Sequence, residues 1–174
     1  EVNLRELSSA EQIDALLRRQ LHAGFINAAT VPPRLACRPL APDHFLCCLP
    51  EDHPLAQAST VALPALAQES FVMFARDVAP ANHDNVIALL QRAGIHPRTR
   101  HAARQWLTVV SLVALGMGVA LVPASLAQAG VQGVRFVPIA GLHHPAVGVL
   151  AWHEEADNPA LRVFLDCAAP FLQS

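Results

Sequence analysis

From Gln105 to Val134 the chain carries no charged residue. A run of that kind is either a membrane span or a set of elements buried inside a fold. A spanning helix needs about 20 mostly apolar residues. Here the dense part, Leu107 to Val122, is broken by Gly116-Met117-Gly118 and stopped by Pro123. Gly-Met-Gly therefore closes a buried helix over 105–116, and Val119-Ala-Leu-Val122 follows as a buried strand.

The rest of the chain repeats that alternation. Val2 to Leu7 places Val, Leu, Leu against Asn, Arg, Glu, the period of a strand with one buried face. Ser9-Ala10-Glu11-Gln12 has the form of a capping box. Ile13, Leu16, Leu17 and Leu21 then predict a helix to about His22, closed by Gly24, with a short strand at Phe25–Ala28. Leu35–Leu40 and Phe45–Leu49 are apolar runs set off by proline turns, and Pro64 opens a short helix ending near Gln68. Phe71–Phe74 is continuously apolar, as in a strand covered on both faces. A loop over Ala75–Asn82 leads to a helix carrying Val86, Leu89, Leu90 and Ala93. Strands are expected at Arg98–Ala102, Val134–Ile139 and Ala146–Trp152, a short helix from Pro123, and a last helix from Asn158-Pro159. This is an α/β pattern with a largely parallel sheet. Phe71–Phe74 and Val147–Trp152 bracket a βαβαβ block. The expected lobes are therefore 1–70 plus 153–174, and 71–152, with those two strands crossing between them.

Composition narrows the function. Hydrophobic residues are 53% and charged residues 15%, which excludes a disordered tail. Twelve basic and fourteen acidic residues leave a net charge of -2, so this stretch by itself does not attract DNA or RNA. Every basic residue is arginine, which removes Schiff-base and P-loop lysine chemistry. Cys37, Cys47, Cys48 and Cys167 form no CxxC pair; they are read as buried, reduced thiols without a disulfide, in a reducing cytoplasm. Adjacent Cys47 and Cys48 point to opposite faces of any strand they share. The chain starts Glu-Val-Asn, with no initiator Met and no signal peptide, and is read as processed or partial.

No GxSxG, HExxH or GKS/T motif is present, and Gly116-Met-Gly118 lacks a dinucleotide fingerprint's third glycine and its preceding strand. His143-His144-Pro145 reads as a surface loop. No catalytic residue, metal ligand set or cofactor site is assigned. The polar residues at strand-to-helix switches are more informative: Ser8-Ser9, Arg76 to Asn82, Arg104 to Thr108, and Pro123 to Ser125. In an open α/β sheet, ligands bind outside the carboxyl ends of the strands. Free N–H groups at the helix starts favour an anion there.

Thr108-Val-Val-Ser-Leu-Val113-Ala-Leu-Gly116-Met-Gly118-Val-Ala-Leu-Val-Pro123-Ala-Ser125 resembles the effector domain of LysR-type transcriptional regulators. Collinear matches are Glu6-Leu-Ser-Ser-Ala-Glu-Gln12, Leu21 with Gly24-Phe25, Pro39-Leu40, Leu49-Pro50, His53-Pro54-Leu55-Ala56 and Gln91-x-Ala93-Gly94. The resemblance implies a two-lobed fold like a type II periplasmic binding protein, lacking its first strand-helix unit here. It implies a small-molecule effector in the interlobe cleft and no catalysis. It also implies promoter DNA bound through an N-terminal winged helix-turn-helix not in this sequence, in a cytoplasmic homodimer or homotetramer with no membrane contact. Val2–Ser8 and the 83–94 helix are the expected dimer participants. Carried over by position, the effector site comprises Ser8, Ser9, Phe74, Arg76, Pro80, Asn82, Arg104, Gln105, Thr108, Val122 and Pro123. The effector is expected to be a small carboxylate, drawn by Arg76, Arg104 and the helix starts. Two alternatives stand beside this reading. An extracytoplasmic solute-binding protein of a transporter would carry an upstream secretion signal. An enzyme on the same fold would carry a catalytic acid or nucleophile in the cleft.

Overall fold

The computed structural model describes residues 2–27, 31–78, 80–141, 145–146 and 148–172. The expected strand residues Ala28 and Val147 and the pair His143-His144 lie outside that set. In chain order the elements are α1 (Ser9–Leu17), β1 (Gly24–Ile26), β2 (Leu35–Pro39), β3 (Asp43–Pro50), β4 (Ser70–Phe74), α2 (Pro80–Arg92), β5 (Arg98–Ala103), α3 (Trp106–Ala114), β6 (Ala120–Pro123), β7 (Val134–Pro138), β8 (Pro145–Ala146), β9 (Val149–His153) and α4 (Pro159–Ala168). Short 3-10 turns follow β3, β6 and α4.

The chain forms two compact units, Glu1–Pro42 with Val147–Ser174, and Asp43–Ala146. The boundaries thus fall at 42/43 and 146/147, not at 70/71 and 152/153. The reason is strand pairing. β3, assigned from the sequence to the first lobe, hydrogen-bonds β6, β7 and β8 of the second unit. Phe71–Phe74 lies wholly inside that unit. The expected strand Ala146–Trp152 is two strands, β8 on β3 and β9 in the other unit.

In the first unit β9 is the middle strand, antiparallel to β1 and to β2. Leu16 of α1 packs with Ile26, Leu35, Val149 and Ala151 on one face of this sheet. Phe25, alternating to the other face, meets Phe164 of α4 edge-on at 6.4 Å. The capping box of α1 uses Ser8, one residue earlier than the sequence reading. Its hydroxyl accepts from the Glu11 N–H, and Glu11 accepts from the Ser8 N–H. The helix ends at Leu17, not His22. Arg19 adopts φ +58°, and the N–H groups of Arg19 and Gln20 turn back to Leu16 and Ala15 carbonyls. That is a Schellman ending with arginine where glycine is usual. Val2–Leu7 is not a strand: no described strand pairs with it, and Val2 and Leu4 are 75% and 93% exposed.

The second unit is organised around β4. β5 lies parallel on one side, and Val119, leading into β6, bridges Phe71 in parallel on the other. β6, β3 and β7 continue antiparallel. The described strand pairings are therefore largely antiparallel, because β3 pairs antiparallel with β6, β7 and β8; the parallel arrangement is kept by β4, β5 and the start of β6, and by a single bridge between Val61 and Ile139 just past β7. Side chains alternate along β4. Phe71 and Met73 pack with Val86, Leu89 and Leu90 of α2, while Val72 and Phe74 pack with Val109, Val110 and Val113 of α3. The two helices therefore cover opposite faces. Cys47 and Cys48 of β3 divide in the same way between the two clusters. After α3, Gly116 takes φ +72° as its C-terminal stop, and Gly118 comes so close to β4 that a Cβ would sit 2.3 Å from the Ser70 carbonyl oxygen. Among the described residues no helix is long and apolar enough to cross a membrane.

Candidate ligand-binding site at the carboxyl ends of the second unit

β4, β5 and β6 run in one direction, and each ends by opening a helical element: α2, α3 and the 3-10 turn Ala124–Ala129. β4 is the middle strand, with one crossover to β5 on one side and the next to β6 on the other. That is a topological switch point, where the crevice outside the strand ends takes ligands in α/β sheets.

Nine of the residues read from the sequence come to these strand ends. Phe74 closes β4, and its buried ring lies against Trp106 with centroids 4.6 Å apart. Val122 is buried beneath the end of β6, and Pro123 follows half-buried. Pro80 and Asn82 are in the first turn of α2 rather than in a loop, and Asn82 is buried. Gln105 is the N-cap of α3, in extended backbone, and Thr108 is exposed in its first turn.

The two arginines are already paired. Arg76 holds Asp84 through two hydrogen bonds, Nε to Oδ1 at 2.8 Å and Nη2 to Oδ2 at 3.0 Å. His83 Nδ1 lies 3.1 Å from the same Oδ1. The Arg76 hydrogen bonds, with His83 next, hold the Asp84 carboxyl down at about 2. Arg104 bonds Asp77 at 2.6 Å. The segment after β4 is thus fastened both to α2 and to the turn after β5, and the expected free cationic charge is answered locally.

Ser8 and Ser9 belong to the first unit, where both hydroxyls have structural duties. Ser8 caps α1, and Ser9 Oγ accepts from the Asn27 N–H at 3.0 Å. The sequence reading missed Trp106, Asp84 and Asp43. Trp106 carried a signal, an aromatic at a helix start. Asp84 and Asp43 carried none, since Asp43 meets its partner Ala124 across 81 residues. All four cysteines are free; Cys47 and Cys48 are buried, but Cys37 and Cys167 are exposed, against the expectation of four buried thiols. Among the described residues no group of three His, Cys, Asp or Glu side chains is placed to hold a metal.

A doubly wound strand trio with helix starts gathered at its carboxyl edge defines a small-molecule-binding α/β domain. The chain belongs to the LysR substrate binding domain family, whose model matches residues 1–173. It is 31% identical over 163 residues to the uncharacterized HTH-type transcriptional regulator YnfL of Escherichia coli K12, a match covering 92% of this chain and 54% of that protein. The chain spans about half the length of the curated relatives it matches. Its fold matches CbnR, a LysR family transcriptional regulator, with a TM-score of 0.86 at 23% identity, covering 99% of this chain and 60% of that one. It also matches the BenM effector binding domain with its effector benzoate, with a TM-score of 0.79 at 20% identity, covering 100% of this chain and 82% of that one. Effector-binding domains of this kind have the two-lobed periplasmic-binding-protein-like fold expected from the sequence.

Proposed function

We propose that this chain is the effector-sensing part of a LysR-type transcriptional regulator. It takes a small carboxylate at the ends of β4, β5 and β6, with Phe74, Arg76, Pro80, Asn82, Arg104, Gln105, Thr108, Val122 and Pro123 around the ligand. The observation that carries this reading is the switch point at β4, with the starts of α2 and α3 on opposite faces of one strand edge. Because Arg76 and Arg104 are paired, the preference for an anion rests on those two helix starts, whose N–H groups and dipoles favour negative charge. Benzoate in the related BenM domain supports a carboxylate of that size.

The domain performs no chemistry in this reading. Effector binding shifts the population of domain arrangements, and the shift is read by a winged helix-turn-helix elsewhere in the protein, acting on promoter DNA in a cytoplasmic homodimer or homotetramer. The transporter alternative draws no support from the family or from the relatives, which are regulators. Calorimetric titration with benzoate and with benzamide tests the site. The expected result is heat with benzoate only, lost in Thr108→Trp, which fills the edge. Equal or tighter binding of benzamide overturns the anion preference.

A further inference from the structure

Where the chain enters the second unit, one carboxylate collects four donors. Asp43 Oδ1 accepts from the N–H of His44 at 2.8 Å and of Ala124 at 3.0 Å. Its Oδ2 accepts from the Ser125 hydroxyl at 2.7 Å and from the Ser125 N–H at 3.4 Å. Ala124 and Ser125 directly follow Pro123, the last residue of β6. The backbone of Asp43 pairs with Ala146, the last residue before the chain leaves the unit. One residue therefore touches the way in, the way out and the carboxyl end of β6.

Packing alone does not fix this corner. Burial along β3 begins at Phe45; Asp43 is only half-buried and His44 is exposed. β8 is two residues long, too short to hold its place by ladder bonds alone. Hydrogen bonds to an ionised acceptor are about twice as strong as neutral ones, so the Asp43 carboxylate is the firmest contact available here.

We propose that Asp43 is a positioning residue that couples the Pro123–Ser125 end of β6 to both points where the chain crosses between units. Its bearing on signalling rests on the effector reading above, since Val122 and Pro123 belong to that site; the coupling itself does not depend on it.

Hydrogen exchange on the intact chain tests the coupling without any ligand. Three stretches are followed: Ala124–Ser125, residues 44–46, and the backbone around Ala146. Asp43→Ala is expected to speed exchange in all three by about tenfold or more, the scale of one or two lost net hydrogen bonds. Asp43→Asn, which keeps one acceptor, is expected to restore part of the protection in all three. Ser125→Ala, which removes a single donor, is expected to give the smallest rise in the same three. β5 and α2 are expected to stay at wild-type rates. A rise confined to Ala124–Ser125 makes Asp43 a local cap and overturns the proposal, as does an equal rise throughout the unit. Benzoate is added in a separate arm: no benzoate effect on wild type counts against the effector reading, while the ligand-free series still decides the coupling.

Discussion

The Phe74 ring at the end of β4 lies 4.6 Å from the Trp106 ring at the start of α3, with the planes 39° apart. The contact joins two of the three strand ends that make the candidate site, and it gives that edge an apolar floor. Aromatic pairs of this geometry add about 0.5–1.5 kcal/mol beyond the area they bury. Phe74→Ala should lower stability by about 3–5 kcal/mol in urea unfolding, the range for an emptied aromatic core position. Trp106 and Trp152 are the two tryptophans of the chain, so the emission change in Trp152→Phe backgrounds reports Trp106 alone. An unshifted Trp106 spectrum in Phe74→Ala would show that the rings do not interact.

Gly118 and Gly116 make a matched pair. At Gly118 a Cβ would strike the Ser70 carbonyl at 2.3 Å, in backbone with φ +139°. At Gly116 nothing lies within 4 Å, and only the φ of +72° resists a side chain. Gly116→Ala should therefore cost about 1–2 kcal/mol, the left-handed penalty alone. Gly118→Ala should cost more than Gly116→Ala, because β4 and the turn before β6 must separate. Urea midpoints of equal size for the two variants would contradict the close approach.

Acid should act on Asp84 in a narrow window. Its carboxyl is held at about 2 by Arg76 and His83, below its unfolded value. A depressed carboxyl contributes stability above the unfolded pKa of about 4 and loses that contribution as pH falls through the folded value. Asp84→Asn should thus be less stable than wild type above pH ~4, with the gap closing toward pH ~2. A gap that persists unchanged at the acid end would mean that the ion pair is not its source.

Cysteine labelling should separate into two classes. Burial pushes the Cys47 and Cys48 thiols up to about 12, so neither forms thiolate at ordinary pH. Cys37 and Cys167 are exposed. Iodoacetamide at pH ~8 should modify those two in the folded chain and reach the β3 pair only on unfolding, as read by peptide mass spectrometry. Labelling of Cys47 at a rate like that of Cys37 would refute the burial.

Local pattern carried most of the second unit. The unbroken apolar run Phe71–Phe74 announced a strand covered on both faces, and Gly116-Met-Gly118 announced the stop of α3, because both are set by neighbours in sequence. What escaped detection depended on distant partners. β3 carries the same apolar signal whichever unit it joins, and its place is decided by β6 and β7, far downstream. Val2–Leu7 has a strand's alternation but no described strand beside it, and alternation without a partner leaves an exposed segment. Arg19 ends α1 in a conformation that glycine would have advertised and arginine hides. At the site, helix starts were legible as positions. Their charge balance was not, since Asp77 and Asp84 answer Arg104 and Arg76 only through the fold.

The middle strand of the first unit, β9, comes from the far end of the chain. On the ribosome, residues 43–146 therefore emerge with every described strand partner they need, while β1 and β2, made before them, still wait for β9. The unit begun first is the one completed last, and a chain that stops short of Val149 leaves β1 and β2 with no strand between them. Termination just before Val149 would thus damage β1 and β2 most, and leave residues 43–146 with their strand pairings.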